Sequence, residues 1–231
     1  MLLVNRLVEE DGLEQCKAEP CVFWLMVENE VSLMVGVHLD DIIVSGGNNA
    51  CENFFAQLKE RFPVKNQGEL KMYTGCVSVR DWESGVLEMS QTAYAENLVA
   101  QYGISATSNI PGSQGVDVGP GKDGELGDNN EFPLYRPLAG NLMWLSVMTR
   151  PGIADALRAC ARHSRNTSPR HWKVLPQIAA YVNCTKEIGL RFVRDSGLKL
   201  SVFADADYAT ASKNRRSVSG VAVMLEDTAI G

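Results

Sequence analysis

The sequence predicts an α+β protein, with antiparallel strands and helices in separate runs along the chain. Three observations carry this. Cys21–Val44 is dense in β-formers and is cut by the short polar breaks ENE and DD, the pattern of a meander. Phe132–Glu187 instead shows apolar residues at helical spacing. The last stretch, from Leu198 on, returns to β-formers, so strands and helices do not alternate regularly as they would over a parallel sheet.

The elements follow in order. Residues 2–15 suggest a short amphipathic helix with Leu3 and Leu7, and also Val4 and Val8, toward one face. CVFWLMV, VSLMVGVHL and IIVSG are then three antiparallel strands joined by the ENE and DD turns. A helix over Asn49–Phe62 buries Phe54, Phe55, Leu58 and Phe62 and stops at Pro63. Strands at Lys71–Arg80 and Gly85–Ser90 flank the turn DWESG, and QTAYAENLVAQYG is a helix ended by Gly103. Ser108–Glu131, rich in Gly, Pro and Asp, reads as a linker or long loop. PLAGNLMWLSVM and PGIADALRACARHSR are two helices separated at Thr149–Arg150–Pro151. A third starts with Ser168 as N-cap and Pro169 in the first turn, and Pro176 in its interior should kink it. GLKLSVFADADYA and SVSGVAVML are two strands of a further sheet with no closing element after them.

Composition narrows the possibilities. No apolar run approaches the roughly 18–20 residues that span a bilayer, and MLLVNRLVEE turns acidic too soon for a signal peptide. The six cysteines and three histidines have no zinc-site spacing, so reduced, mostly buried thiols are expected. The net charge of −6 speaks against a nucleic-acid partner until it is divided: Phe132–Glu187 alone carries +6, leaving −12 elsewhere. Within that basic block Arg158, Arg162 and Arg165 stand at i, i+4 and i+7, on one helical face. Such a stripe can neutralise phosphates regardless of base sequence, or can simply face solvent. Trp144 and Trp172 read as core residues.

The pair Asp40–Asp41 lies in VHLDDIIVSGG between two apolar strands. Alone, it reads as a solvated Asp-rich turn. Held rigidly at a sheet edge, however, adjacent carboxylates repel, and a hard divalent cation such as magnesium relieves that repulsion. Two such ions about 3.5–4 Å apart can activate a hydroxyl and stabilise a leaving oxygen in nucleotidyl transfer.

The order apolar strand, HLDD, apolar strand, helix resembles the Tyr-x-Asp-Asp hairpin of reverse transcriptases, in the form carried by copia-type LTR retrotransposon Pol polyproteins. Further blocks lie in that family's order. GLEQCKAEPCVFW resembles the segment before the hairpin; GELKMYTGCVSV and LEMSQTAYAENLVAQYGI resemble the primer grip and its helix. YRPLAGNLMWLSVMTRPGIADALRACARHSRNTSPRHW and YVNCTKEIGLRF resemble the thumb-like region, and VFADADYATASKNRRSVSGVAVML the opening hairpin of ribonuclease H.

The resemblance implies four regions. Residues 1–107 would be the C-terminal part of a polymerase palm with an antiparallel sheet and flanking helices; 108–131 a flexible linker; 132–196 a thumb-like basic helical region; and 197–231 the truncated start of a ribonuclease H-like domain. Asp40 and Asp41 would bind catalytic Mg2+, with Mn2+ a substitute; Asp205 would be the first ribonuclease H metal ligand, with Asp207 its motif neighbour. Met72, Tyr73 and Gly75 would touch the primer, and Arg158, Arg162 and Arg165 the nucleic-acid backbone. Implied partners are an RNA template, an RNA–DNA or DNA duplex and the rest of Pol, with no membrane. The implied location is cytoplasmic, in a virus-like particle, or nuclear, and not secreted.

The sequence departs from the family pattern in places. His38 replaces the tyrosine, Thr74 a leucine of the primer grip, and Pro176 stands in a helix that is usually basic. Glu9, Glu10, Asp11 and Glu14 do not match the context of the family's first catalytic aspartate, and the remaining ribonuclease H acids have no counterpart. The expectation is a polymerase fragment inactive as an isolated chain. The alternative is a non-catalytic nucleic-acid-binding or interaction remnant that uses the basic helices.

Overall fold

A computed structural model describes residues 6–112, 132–165, 167–197, 199–207 and 218–231, with Arg170, Asp207 and Val218 described by backbone alone. The expected linker 108–131 and the RRSVSG motif therefore lie largely outside the described residues. The chain is α+β, as expected, and divides into two compact units, Met1–Leu70 and Lys71–Gly231.

The first unit is a four-stranded antiparallel sheet of order β1-β2-β3-β4, with β1 Glu14–Gln15, β2 Val22–Val27, β3 Glu30–His38 and β4 Asp41–Gly46. The expected meander is present. Residues 2–5 of the helix expected over 2–15 lie outside the described residues, and the described part is not a continuous helix. In its place a single wide helical turn spans Arg6–Glu10, and Glu14–Gln15 pair with Phe23–Trp24. The turn is anchored rather than extended: Leu7 is buried, Arg6 donates to the Gln57 carbonyl at 2.8 Å, and Arg6 meets Asp11 at 3.4 Å. Helix α1, Asn48–Lys59, covers one face of the sheet. Alternation along the strands sends Phe23, Leu33 and Val35 to that face, where they pack with Leu7, Leu13, Phe54 and Leu58.

The second unit holds two sheets and a helical core. In the first sheet, β5 Met72–Tyr73, β6 Cys76–Asp81, β7 Val86–Ser90 and β8 Leu190–Val193 lie in that order, all antiparallel. The single strand expected over Lys71–Arg80 is thus two. Thr74 and Gly75, at φ +48° and +80°, make a two-residue turn of the kind that suits the twist of a hairpin. Residues 190–193, read from sequence as part of the thumb-like stretch, form β8 alongside β7. The seam is close at Gly189, where a Cβ would collide with the Met89 carbonyl.

Helices α2 Thr92–Gln101, α3 Tyr135–Met148, α4 Ala154–Ala161 and α5 Pro169–Cys184 build the larger core around Leu98, Tyr135, Leu142, Leu157, Leu175 and Ile178. At the start of α5, Ser168 sits at the N-cap as expected, and its backbone N–H donates to His171 Nδ1 at 3.1 Å. Helix α5 runs on through Pro176 to Cys184. The burial of Val174, Leu175, Ile178 and Ala179 on its inner face holds it together where the proline removes one backbone donor. The other sheet has order β11-β10-β9, from β9 Leu200–Asp207, β10 Val218–Leu225 and β11 Thr228–Ala229. The two end strands were expected; the short β11 was not.

Two expectations about side chains change. Trp172 does pack inward, its ring 6.0 Å from Phe132 and 6.4 Å from Tyr135, but Trp144 is 40% exposed. All six thiols are free, yet only Cys76 and Cys160 are buried; Cys21 and Cys184 are exposed. Burial pushes the Cys160 thiol up to about 11.

Candidate metal-binding hairpin and nucleic-acid contacts

The β3–β4 hairpin presents the paired aspartates. His38 pairs with Asp41 across the strands, leaving Leu39 and Asp40 as a two-residue loop. Leu39 takes φ +54° and is 87% exposed, an unusual conformation for a branched apolar residue. Asp40 and Asp41 are both exposed. Strand alternation puts Asp41 on the same face as His38, Gly36 and Ile43, which is the face opposite the α1-covered core. Gly36 keeps that face low, since a Cβ there would press on Ile43 Cγ2 at 2.8 Å. The sheet thus carries an oxidation-inert pair of hard oxygen donors on an open surface, backed by a packed core.

That donor chemistry suits Mg2+, which takes carboxylate oxygens and keeps several waters. Among the described residues no group of three or more Asp, Glu, His or Cys side chains comes together to complete a metal cage.

The other expected site residues are distributed. Met72 and Tyr73 flank the Thr74–Gly75 turn, Met72 being 66% exposed and Tyr73 half-buried. Asp205 lies on β9 opposite Gly220 of β10, exposed, with Oδ1 accepting the Ala206 N–H at 2.8 Å. The Asp207 side chain lies outside the described residues. The three arginines do not share one helical face, because α4 ends at Ala161. Arg158 is on α4, Arg162 caps it, and Arg165 follows in the turn leading to Ser168. All three are exposed, but Arg158 is paired with Asp155 at 2.7 Å. Arg150, part of the basic block, is buried and structural: it donates to the Thr185 carbonyl at 2.8 Å and to Thr185 Oγ1 at 2.5 Å.

Sequence reading passed over Arg80, Trp82 and Arg194, which meet at the β6–β7 turn. Their signal was slight, an arginine two residues before the tryptophan of DWESG.

Comparison with known proteins adds to this geometry. Residues 2–112 match the family described as reverse transcriptase (RNA-dependent DNA polymerase). An uncharacterized mitochondrial protein of Arabidopsis thaliana is 26% identical over 194 residues, covering 82% of this chain and 77% of that protein. The retrovirus-related Pol polyprotein from transposon TNT 1-94 of Nicotiana tabacum is 25% identical over 210 residues, 88% of this chain. The chain spans only 16% of that polyprotein's length. The secreted RxLR effector protein 161 of Plasmopara viticola is 36% identical over 86 residues, 37% of this chain and 61% of the effector. No solved structure gives a significant match.

Proposed function

We propose, from the match of residues 2–112 to the reverse transcriptase family and the likeness to a transposon Pol polyprotein, that the chain is a piece of a copia-type Pol polyprotein and that its first unit is the C-terminal part of a polymerase palm. The observation that carries this reading is the β3–β4 hairpin, which holds Asp40 in its loop and Asp41 on an open sheet face, both exposed, over a packed core. In this reading Asp40 and Asp41 hold Mg2+ or Mn2+, the ion being the agent that activates a primer hydroxyl and neutralises phosphate charge. The residues of the chain then have defined tasks. Asp40 and Asp41 contribute carboxylate oxygens, Met72, Tyr73 and Gly75 touch the primer strand, and Gly36 leaves the sheet face low enough for a duplex to approach.

By the same reading, α3 to α5 are the thumb-like part and β9–β10 opens a ribonuclease H-like domain, with Asp205 as a first metal ligand. The partners are an RNA template, its hybrid or DNA duplex and the remainder of Pol, in a cytoplasmic particle or the nucleus. In this reading the isolated chain is inactive in both reactions, because the acids at Glu9, Glu10, Asp11 and Glu14 do not match the context of the family's first catalytic aspartate.

The test has two parts. Calorimetric titration with Mg2+ or Mn2+ should show binding by the wild-type chain that Asp40→Asn and Asp41→Asn weaken; unchanged binding in both variants would remove the metal role. Primer extension and hybrid cleavage by the purified chain should be absent, and magnesium-dependent extension would overturn the inactivity. A second reading, a non-catalytic nucleic-acid-binding remnant, draws on the exposed Arg162 and Arg165 beyond α4. It requires salt-sensitive duplex binding that is lost when Arg158, Arg162 and Arg165 become Ala.

A further inference from the structure

Strand β6 carries the primer-grip-like turn at one end and an aromatic ledge at the other. Beyond Asp81 the chain turns at Trp82, whose ring is 60% exposed and has the Arg80 guanidinium 4.6 Å from its centroid. The turn is set by Asp81, which accepts the Glu83 N–H at 2.9 Å, the Ser84 N–H at 3.3 Å and the Ser84 hydroxyl at 2.6 Å. From β8's end, Arg194 donates to the Trp82 carbonyl at 3.4 Å. Arg80 faces Leu87, and Leu87 faces Phe192, so these three stand in one row across β6, β7 and β8. Between row and turn lies a cleft of about 280 Å³, lined by the apolar Leu87, Phe192 and Val193 together with Arg80, Trp82 and Arg194.

An apolar lining, an exposed indole and two guanidinium groups suit a planar base joined to an anionic backbone. Every nucleobase has a π-face that stacks on an aromatic ring, and arginine adds charge and cation–π attraction. Two of the adjacent carboxylates are engaged, Asp81 in the turn and Asp195 with Arg194 at 3.7 Å, while Glu83 is exposed. We propose that this ledge binds a nucleobase of a single-stranded polynucleotide by stacking on Trp82, with neighbouring phosphates held by Arg80 and Arg194.

The proposal rests on the polymerase reading and adds a distance to it. The six residues of β6 span about 20 Å at roughly 3.4 Å each. Stacked nucleotides advance by about the same 3.4 Å along one strand. A strand held at Tyr73, whose register partner Cys76 lies on the Arg80 side of β6, would therefore reach Trp82 about six nucleotides away.

The experiment measures binding of labelled oligothymidylates of about 4 to 12 nucleotides to the full chain by fluorescence anisotropy. Wild-type affinity should step up once the oligomer exceeds about six nucleotides, and Trp82→Ala should remove that step, roughly a tenfold loss or more. Trp82→Phe should restore most of the affinity, and Arg80→Ala should lower the salt dependence by about one phosphate contact. Because Trp82 is exposed in a turn, Trp82→Ala should fold normally, which far-UV circular dichroism checks. Affinity of Trp82→Ala within about twofold of wild type overturns the ledge while leaving the polymerase reading standing. A wild-type chain that binds no oligonucleotide at low salt overturns both. Trp82 fluorescence that answers to a proline-rich peptide and not to oligothymidylate makes the cleft a peptide site and also overturns the proposal.

Discussion

In the β3–β4 hairpin, Leu33 and Val35 are buried against Phe23, Phe54 and Leu58. In the β9–β10 hairpin, Val202, Phe203 and Val221 are 59%, 64% and 60% exposed. Register places Val202 and Phe203 on opposite faces of their sheet, so both of its faces carry apolar side chains without cover. Each hairpin displays an acidic residue to solvent, but only the first does so from its own folded support. A carboxylate can be legible in sequence and exposed in structure at both places, and still be rigidly aimed at only one of them. Side chains hold a metal geometry only when the elements beneath them are themselves held.

That contrast can be broken most directly by truncating one aromatic residue in each hairpin's sheet. Phe23→Ala should cost about 3–5 kcal/mol, the range for deleting a fully buried aromatic. Phe203→Ala should cost less than about 1 kcal/mol, since little contact is lost at an exposed site. Urea unfolding of both variants measures this, and equal losses would mean that the two sheets are equally supported.

Hydrogen exchange sharpens the comparison next. Amides of β3, in the middle of a four-stranded sheet over a core, should exchange about a hundredfold more slowly than those of β9, which has β10 on one side only. Comparable protection would show that β9–β10 is stabilised by more than its own pairing.

A smaller effect is expected from metal. Asp40→Asn should weaken Mg2+ binding roughly tenfold, whereas Asp205→Asn, lacking a neighbouring described carboxylate ligand, should change it little. Calorimetric titration of the two variants separates them, and a larger loss in Asp205→Asn would reverse the ranking of the two sites.

The smallest effect concerns a third hairpin, held by polar bonds at its turn. The Ser84 hydroxyl, then the Ser84 and Glu83 N–H groups, hold the Asp81 carboxyl below its ordinary value of 3.8. A folded-state value below the unfolded one contributes stability that is present above the unfolded value and is lost as pH falls through the folded one. The contribution should therefore disappear only below about pH 4, and Asp81→Asn should flatten that part of the acid-unfolding profile. An unchanged profile would show that the turn does not need the charge.

What the sequence revealed depended on how local the cause was. The β2–β4 meander, α1 and the helices of the second unit were legible because their apolar periodicity is set within a dozen residues. Ser168 was legible as a cap for the same reason. The hairpin at Thr74–Gly75 was hidden within a continuous run of β-formers, where only Gly75 marked a turn. At the N-terminus, Leu7 suggested a helix face, but its burial against the α1 side of the sheet and the pairing of Glu14–Gln15 with β2 decided the conformation. The arginine stripe failed because α4 had to end in time for Ser168 to start α5. For the candidate site, the Asp40–Asp41 turn was visible in full, whereas the Arg80–Trp82–Arg194 cluster needed β8 to be brought beside β7.

That last pairing also has a consequence in time. Strand β8 joins a neighbour made about 100 residues before it. At roughly 5–20 residues per second, a growing chain would keep the outer edge of β7 unpaired for about 5–20 seconds of synthesis. Throughout that interval a row of backbone donors and acceptors stays open to any passing strand. The ribosome, by its pace, sets how long this half-built sheet must avoid the wrong neighbour.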